Sequence, residues 1–198
     1  SSKRNFPLII KKTPGTSSSG SAVVVSTGMV PFALGTQTAG SIIRPASFCG
    51  VWGMKPSYGL IPRTGVLKTS DTLDTIGFLT SRVDNLEVIL NSMIVSGQNY
   101  PLIQNNLLKK STKKKLNIGF LETDLCNDAV NILKENKDKL KRELNKRHIT
   151  KKISWPINLK NINEIHEIIY NKNLSYYFKN EYKKKGFKIS KIMRKMII

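Results

Sequence analysis

The chain has 198 residues, enough for one domain with a sizeable core, and its 39% apolar and 8% aromatic content is typical of a folded protein. Its formal charge is +20, from 33 Lys and Arg against 13 Asp and Glu. No stretch approaches the roughly 18–20 apolar residues of a membrane-spanning helix, and no secretory signal is recognisable. We therefore expect a cytoplasmic protein without a membrane partner.

The positive charge is distributed unevenly along the chain. Residues 1–110 carry +7 and residues 111–198 carry +13. An excess of this size often indicates a polyanionic partner. However, most lysines are scattered, and the second half is rich in Lys, Asn and Ile together, a composition that AT-rich coding produces without any function. The charge therefore argues only weakly for nucleic-acid binding.

Cysteine and histidine are too few and too dispersed for a metal site or a disulfide framework. The residues concerned are Cys49, Cys126, His148 and His166, and no two of them have a short metal-ligand spacing. His148 follows a charged stretch and His166 lies on a face of a predicted helix. We expect both histidines to be surface or half-buried residues, not catalytic bases.

The first half of the chain predicts short elements separated by small-residue loops. A Gly/Ser loop over 13–21 leads into a helix that ends at Gly28, and residues 31–36 predict a short buried strand. Residues 42–58 contain glycines beside Phe48 and Trp52, which predicts close backbone packing in a core.

The remaining elements are predicted to be mainly helical. Residues 59–80 are expected to form loops and turns. Apolar residues at three- and four-residue steps predict a helix over 83–95, and alternation predicts a strand over 115–121 after a polar connection at 97–114. The same helical spacing predicts three further helices, over 127–145, 161–181 and 188–197.

Two loops, at 13–21 and 35–45, each enclose a serine among small residues. The two serines, Ser17 and Ser41, are 24 positions apart, and the conspicuous segments 46–59 and 73–77 follow them. This combination resembles the amidase signature family, whose hydrolases cleave carbon–nitrogen amide bonds with a Ser–Ser–Lys triad. The resemblance is clear over 13–95 and weaker over 115–198.

The resemblance implies a role for each residue of the two loops. Ser41 would be the nucleophile that forms an acyl-enzyme, and Ser17, in a cis peptide bond, would relay its proton to a neutral lysine. A neutral serine hydroxyl needs such a base, and burial favours the uncharged form of a lysine. The backbone N–H groups of Thr38, Ala39 and Gly40 would form the oxyanion hole. The neighbouring Ser18, Ser19 and Ser21 would be loop and cap residues that bond to the backbone.

The resemblance also implies an α/β fold with a mixed β-sheet core flanked by α-helices. We expect residues 1–198 to be part of a single amidase domain, incomplete at both ends, with a signature core at about 13–95 and a strand-and-helix region at about 115–198. The substrate would be a small-molecule amide, and no metal or organic cofactor would be required.

The family's catalytic lysine is the main departure from the pattern. It belongs well upstream of the first serine loop, yet only 16 residues precede Ser17 here. Lys3, Lys11 and Lys12 lie too near Ser17 to match it, and Lys55 lies in a segment that is structural in the family. We therefore expect a fragment that is inactive alone.

Smaller departures occur in the two loops themselves. Thr16 and Ala39 stand where many members have glycine, Gln37 where others have aspartate, and Arg44 is one position later than usual. The resemblance implies that general amidases accept this form, whereas the tRNA-dependent amidotransferase subunits favour the aspartate form. We therefore expect those subunits to match less well.

Two alternatives to the enzyme remain open. The chain could be a catalytically inactive, amidase-like interaction protein, in which case Ser41→Ala would change nothing measurable. It could also be a basic nucleic-acid-binding module, with the affinity located in 111–198 and falling steeply with salt. That half shows no aromatic–basic stacking pattern, which argues against the second alternative.

Overall fold

A computed structural model describes residues 13–95, 97–98, 115–122, 131–154, 161–185 and 188–197. The described residues form two compact units, one within 1–104 and 169–198, the other within 105–168. The helices are α1 Ser19–Ser26, α2 Ile43–Cys49, α3 Asn85–Met93, α4 Asn131–Asn145, α5 Ile162–Tyr177, α6 Lys179–Lys185 and α7 Lys191–Ile197. The strands are β1 Phe32–Gln37, β2 Trp52–Met54, β3 Thr75–Thr80, β4 Asn117–Glu122 and β5 Ile149–Ser154.

The first unit contains a three-stranded antiparallel sheet with β3 in the centre. β3 pairs with β1 in the register Leu34 to Phe78 and with β2 in the register Met54 to Phe78. All six residues of β3 are buried. Because β3 is paired along both edges and covered on both faces, none of its positions alternates toward solvent, and even Thr75 and Thr80 are buried.

Helices cover both faces of this sheet. On one face Leu79 packs with Ala22 and Val25 of α1 and with Ile42 and Ala46 at α2. On the other face Ile76 and Phe78 pack with Ile61 and with Ile89 of α3. Because successive side chains of a strand point to opposite faces, β3 alone supplies both clusters. The unit is thus a sheet between two helical layers.

The second unit is a parallel strand–helix–strand motif. β4 and β5 pair in parallel, in the register Asn117 to Ile149, and α4 lies between them in the chain. Two parallel strands need a crossover connection of this kind, since a tight turn can join only antiparallel strands.

The predicted fold class is confirmed: strands of both orientations are flanked by helices. The helices predicted near 21–28, 83–95, 161–181 and 188–197 and the strands near 31–36 and 115–121 are present, with 161–181 divided into α5 and α6. The helix predicted over 127–145 is described from residue 131 onward. Among the described helices, none combines the length and the apolar character required to cross a bilayer.

Several element predictions were wrong in detail. Residues 59–80 were expected to be loop, but they contain the central strand β3, and α2, β2 and β5 were not predicted. The close packing expected in 42–58 involves Gly53, where a Cβ would meet the Ala46 side chain at 2.7 Å. It does not involve the aromatic residues, because Phe48 is 58% and Trp52 46% exposed. β1 is a half-exposed edge strand, not a buried one.

Candidate active site

The two serine loops lie against each other in the first unit. The Ser18 N–H donates to the Ser41 carbonyl oxygen at 3.2 Å. The Ser18 hydroxyl donates to the Thr36 carbonyl and accepts from the Thr36 N–H, both at 3.3 Å. Ser21 Oγ donates to the Leu34 carbonyl at 2.6 Å. The first loop is therefore fastened both to the second loop and to strand β1.

These contacts refine the expectation for the neighbouring serines. Ser18 occupies the N-cap of α1 but its side chain makes no cap hydrogen bond. Ser18 and Ser21 do bond to the backbone, as predicted, but to a strand instead of to the helix end. The fold thus uses the serine-rich start of α1 to join the helix to β1.

Gly15 allows the backbones of the two loops to approach closely. It is buried and has φ +84°, and a Cβ there would lie 3.1 Å from Pro45 Cα and 3.2 Å from Pro45 N. Arg44 Nη1 donates to Thr16 Oγ1 at 3.4 Å, and the Thr16–Ser17 peptide bond is cis. Only glycine adopts a positive φ without strain and also lacks the Cβ that would crowd the Pro45 backbone.

Cys49 makes a further contact between the first loop and α2. Its Sγ lies 3.7 Å from the Pro14 carbonyl oxygen, as a weak donor. Burial raises the pKa of the Cys49 thiol, so the sulfur keeps its proton at neutral pH. The first loop thus touches β1, the second loop and the end of α2.

The second loop runs from the end of β1 to the start of α2, and Gln37 holds it from inside. Gln37 Oε1 accepts from the N–H groups of Ile42 at 2.9 Å and Ile43 at 3.0 Å. Gln37 Nε2 donates to the Ala39 carbonyl at 2.9 Å. Among the described residues, no acceptor is found for the N–H groups of Thr38, Ala39 and Gly40. Such donors are what an oxyanion hole requires.

Asp74, immediately before β3, also anchors the loop, through the side chain of Thr38. Its Oδ1 accepts from Thr38 Oγ1 at 2.6 Å and from Thr69 Oγ1 at 2.8 Å. Its Oδ2 accepts from the backbone N–H groups of Thr69 at 2.7 Å and Ser70 at 2.9 Å. Burial by itself raises the pKa of Asp74, but the hydrogen bonds from Thr38, Ser70 and Thr69 outweigh it, so the pKa lies below its ordinary value.

The two predicted serines differ in exposure. Ser17 is exposed and Ser41 is half-buried, so both lie within reach of solvent. A cavity of about 40 Å³ adjoins Asp74 and is lined in part by Arg63, Lys68 and Thr69. The structure thus brings the loops of Ser17 and Ser41 together with Thr38, Ala39 and Gly40. Sequence reasoning missed Gln37 and Asp74 as anchors, although both lie in the conspicuous segments 35–45 and 73–77.

Other candidate bases have different surroundings. Lys55 Nζ donates to the Pro56 carbonyl at 2.9 Å. His148 accepts from the Leu116 N–H at 3.4 Å and, like His166, belongs to the second unit, whereas both serines belong to the first. Lys3, Lys11 and Lys12 lie outside the described residues. Within the described ranges, no group of three His, Cys, Asp or Glu side chains is arranged to hold a metal ion.

The described site thus consists of two apposed serine loops next to strand β1 of an α/β unit, and the second loop carries backbone N–H groups without an acceptor among the described residues. The sequence matches the Amidase family over residues 4–197. The chain therefore belongs to the amidase family.

Curated relatives include one type of amidotransferase subunit from several organisms. The chain is 47% identical over 92 residues to a Glutamyl-tRNA(Gln) amidotransferase subunit of Persephonella marina, covering 46% of this chain and 19% of that protein. It is 54% identical over 79 residues to the mitochondrial counterpart of Yarrowia lipolytica, covering 40% and 17%. The matched part is thus less than a fifth of these relatives' length. The expectation that amidotransferase subunits would match less well because of Gln37 was wrong.

Solved structures show the same fold over most of the described chain. A crystal structure of an amidase has a TM-score of 0.76 and 27% identity, covering 93% of this chain and 40% of the other. Peptide amidase from Stenotrophomonas maltophilia has a TM-score of 0.65 and 26% identity, covering 84% and 37%. A Glutamyl-tRNA(Gln) amidotransferase subunit from Thermotoga maritima has a TM-score of 0.67 and 25% identity, covering 88% and 41%.

Proposed function

We propose that this chain is the catalytic portion of an enzyme that hydrolyses the C–N bond of carboxylic amides. Ser41 attacks the amide carbonyl and forms an acyl-enzyme, ammonia or an amine leaves, and water releases the acid. The observation that carries the proposal is the contact between the two loops, where the Ser18 N–H meets the Ser41 carbonyl beside three open N–H donors.

The proton of Ser41 must leave as the new C–O bond forms. In this proposal it passes to Ser17, whose own proton passes to a neutral lysine. The protonated lysine later returns a proton, through Ser17, to the leaving nitrogen. The lysine would be supplied from outside the described residues, at the upstream position that the family resemblance implies. The negative charge on the carbonyl oxygen would be stabilised by the N–H groups of Thr38, Ala39 and Gly40.

The test compares Ser41→Ala, Ser17→Ala and the control Ser47→Ala, an exposed serine on α2. Ammonia release from a panel of aliphatic, aryl and amino-acid amides is measured for the 198-residue chain and for the longest natural polypeptide that contains it. We expect Ser41→Ala to abolish turnover and labelling by a fluorophosphonate. Ser17→Ala should lower kcat by about 10²–10⁴-fold, the usual contribution of a proton-transfer group, and Ser47→Ala should change neither.

Two results would contradict this proposal. Turnover that survives Ser41→Ala would exclude Ser41 as the nucleophile. The second is inactivity of the longest natural polypeptide that contains this chain. If it neither hydrolyses any amide of the panel nor reacts with the fluorophosphonate, the alternative of an inactive, amidase-like interaction protein is supported.

A second candidate follows from the relatives that are named as subunits of an amidotransferase. The same acyl-enzyme on Ser41 would take nitrogen from an amide donor for transfer to an acceptor, as one subunit of an assembly, and L-glutamine serves here as the probe for such a donor. The 47% and 54% identities are the observation that favours it. Ammonia release from L-glutamine in preference to simple amides would distinguish the amidotransferase from a general amidase.

A further inference from the structure

We propose that Gln37 is a positioning residue that orients the N–H groups of the loop 38–40 toward the substrate oxygen. The inference rests on the proposed function, because the orientation matters only if that loop binds an oxyanion. Gln37 itself would touch neither the substrate nor the Ser41 hydroxyl; it would act through the backbone.

The side chain of Gln37 spans the whole loop. It is 8% exposed, and its amide makes three hydrogen bonds of 2.9–3.0 Å, to residues 39, 42 and 43. It therefore connects the last residue of β1 to the first turn of α2, across the segment that contains Ser41. Since Ile42 is fully buried against Leu79 and Ala46, one side of this connection is fixed to the core.

Peptide geometry converts this contact into an orientation. In a trans peptide the C=O and N–H groups point in opposite directions, and the one cis bond in the described residues is Thr16–Ser17. The Ala39 carbonyl points at Gln37 Nε2, so the Gly40 N–H must point away from Gln37. Without this bond the Ala39–Gly40 peptide would be free to rotate, and the oxyanion donor would lose its direction.

The arrangement requires an amide in particular. Oε1 accepts two N–H donors while Nε2 donates to a carbonyl, and a carboxylate could do only the first, because it has no hydrogen to donate. An ionised glutamate would instead place an oxygen against the Ala39 carbonyl oxygen. The family's common aspartate at this position, which the resemblance implies, is both shorter and acceptor-only, so it must hold its loop in another way.

The experiment uses Gln37→Glu and Gln37→Met, with Gln98→Glu as the control. Gln98 is an exposed residue in a turn. We expect Gln37→Glu and Gln37→Met to lower kcat by about 10²–10³-fold, the loss that follows removal of one oxyanion donor. KM should change much less, because the oxyanion exists only beyond the ground state.

The pH profile of Gln37→Glu separates positioning from simple loss of structure. When the glutamate is protonated its O–H can donate to the Ala39 carbonyl, as the amide does. The ratio of kcat for Gln37→Glu to kcat for the parent enzyme should therefore rise as the pH falls toward and through the pKa of that carboxyl group. Because both proteins share the same general base, its titration cancels in the ratio. A ratio independent of pH would overturn the proposal.

Hydrogen exchange of the 198-residue chain tests, without any need for turnover, whether Gln37 holds the loop. In Gln37→Met the amides of Ile42 and Ile43 lose their acceptor, so their exchange should accelerate while that of β3 is unchanged. Unchanged protection at these two amides, or faster exchange with an unaltered kcat, would overturn the inference. If Ser41→Ala instead has no effect on turnover, the proposed function fails, and the exchange result still decides whether Gln37 holds the loop.

Discussion

At the scale of single residues, Asp74 shows how a buried carboxylate can organise a site without taking part in its chemistry. It accepts four hydrogen bonds, of which one comes from Thr38 in the second serine loop. Such bonds favour the ionised form, and the pKa of Asp74 is accordingly lowered despite burial. The free energy of unfolding is thereby linked to the protonation of this one group.

The lowered pKa of Asp74 predicts a direction for the pH dependence of stability. Because the pKa in the folded state lies below the unfolded value of about 3.9, the stabilisation is complete above that value. It is lost as the pH falls from there through the folded-state pKa. Asp74→Asn should lower the free energy of unfolding at pH 7 by about 1–3 kcal/mol, since a donor then faces other donors, and should weaken the fall in stability at low pH.

Urea unfolding between pH 7 and pH 2 measures both effects. The control is Asp84→Asn, because Asp84 is 74% exposed and its ion pair to Arg82, at 3.3 Å, is at the surface. Exposed pairs of this kind contribute little. An Asp74→Asn protein with the same acid limb as the parent would contradict the assignment.

At the scale of elements, the site depends on how closely two loops approach. Gly15 and Gly20 lie on either side of Ser17, yet their surroundings differ. Gly15 has φ +84° and almost touches the Pro45 backbone, whereas Gly20, in α1, has nothing within 4 Å of its Cβ position. The first glycine is required by the loop contact, and the second is not.

The two glycines therefore form a matched pair of predictions. Gly15→Ala should destabilise the chain by about 1–3 kcal/mol, the cost of a non-glycine residue in this backbone region, and should reduce fluorophosphonate labelling of Ser41 by separating the loops. Gly20→Ala should be neutral or stabilising by up to about 1 kcal/mol, because alanine favours the helix. Denaturant unfolding and labelling rates measure both. Equal effects of the two substitutions would exclude a special role for Gly15.

At the scale of the whole molecule, the charge of +20 would favour non-specific association with polyanions. A groove of about 430 Å³ on α5 and α6 is lined by Lys172, Lys179 and Lys183 together with Ser175, Tyr176 and Tyr182. Sequence reasoning found no aromatic–basic pattern in this half, but the helical spacing places these residues side by side. A groove of this composition is the feature that a nucleic-acid-binding alternative would need.

We nevertheless expect any affinity for nucleic acid to depend on the total positive charge and not on the residues of the groove. Counterion release depends on how many phosphates are neutralised, so affinity for single-stranded RNA should fall steeply with salt. Reversing Lys172, Lys179 and Lys183 to glutamate should weaken it no more than the same change at the exposed Lys115, Lys139 and Lys151. Fluorescence anisotropy at several salt concentrations measures this. A loss of affinity confined to the groove variant would identify the groove as a specific binding site.

The sequence by itself determined the family and the identity of the loops. The serine motifs at 13–21 and 35–45 are local signals, because small residues and glycines are needed wherever backbones approach. The helices over 83–95 and 161–181 were also readable, since amphipathic spacing depends on one element alone. The roles of Ser17 and Ser41 remain predictions that the proposed substitutions test.

The tertiary structure decided what a local pattern cannot show. Asp71, Asp74 and Gly77 are typical of turns, yet the segment that contains them leads into β3, the fully buried centre of the sheet. Gly77 is needed there because a Cβ would collide with the Met54 carbonyl and with Ile42. Asp74 became an anchor of the second loop only when folding brought Thr38 to it, from 36 residues away in the chain. The partners of Gln37 lie within six residues, but the burial of this side chain also depends on the folded unit. Burial and polar partners of this kind depend on long-range pairing, and long-range pairing is a property of the whole fold.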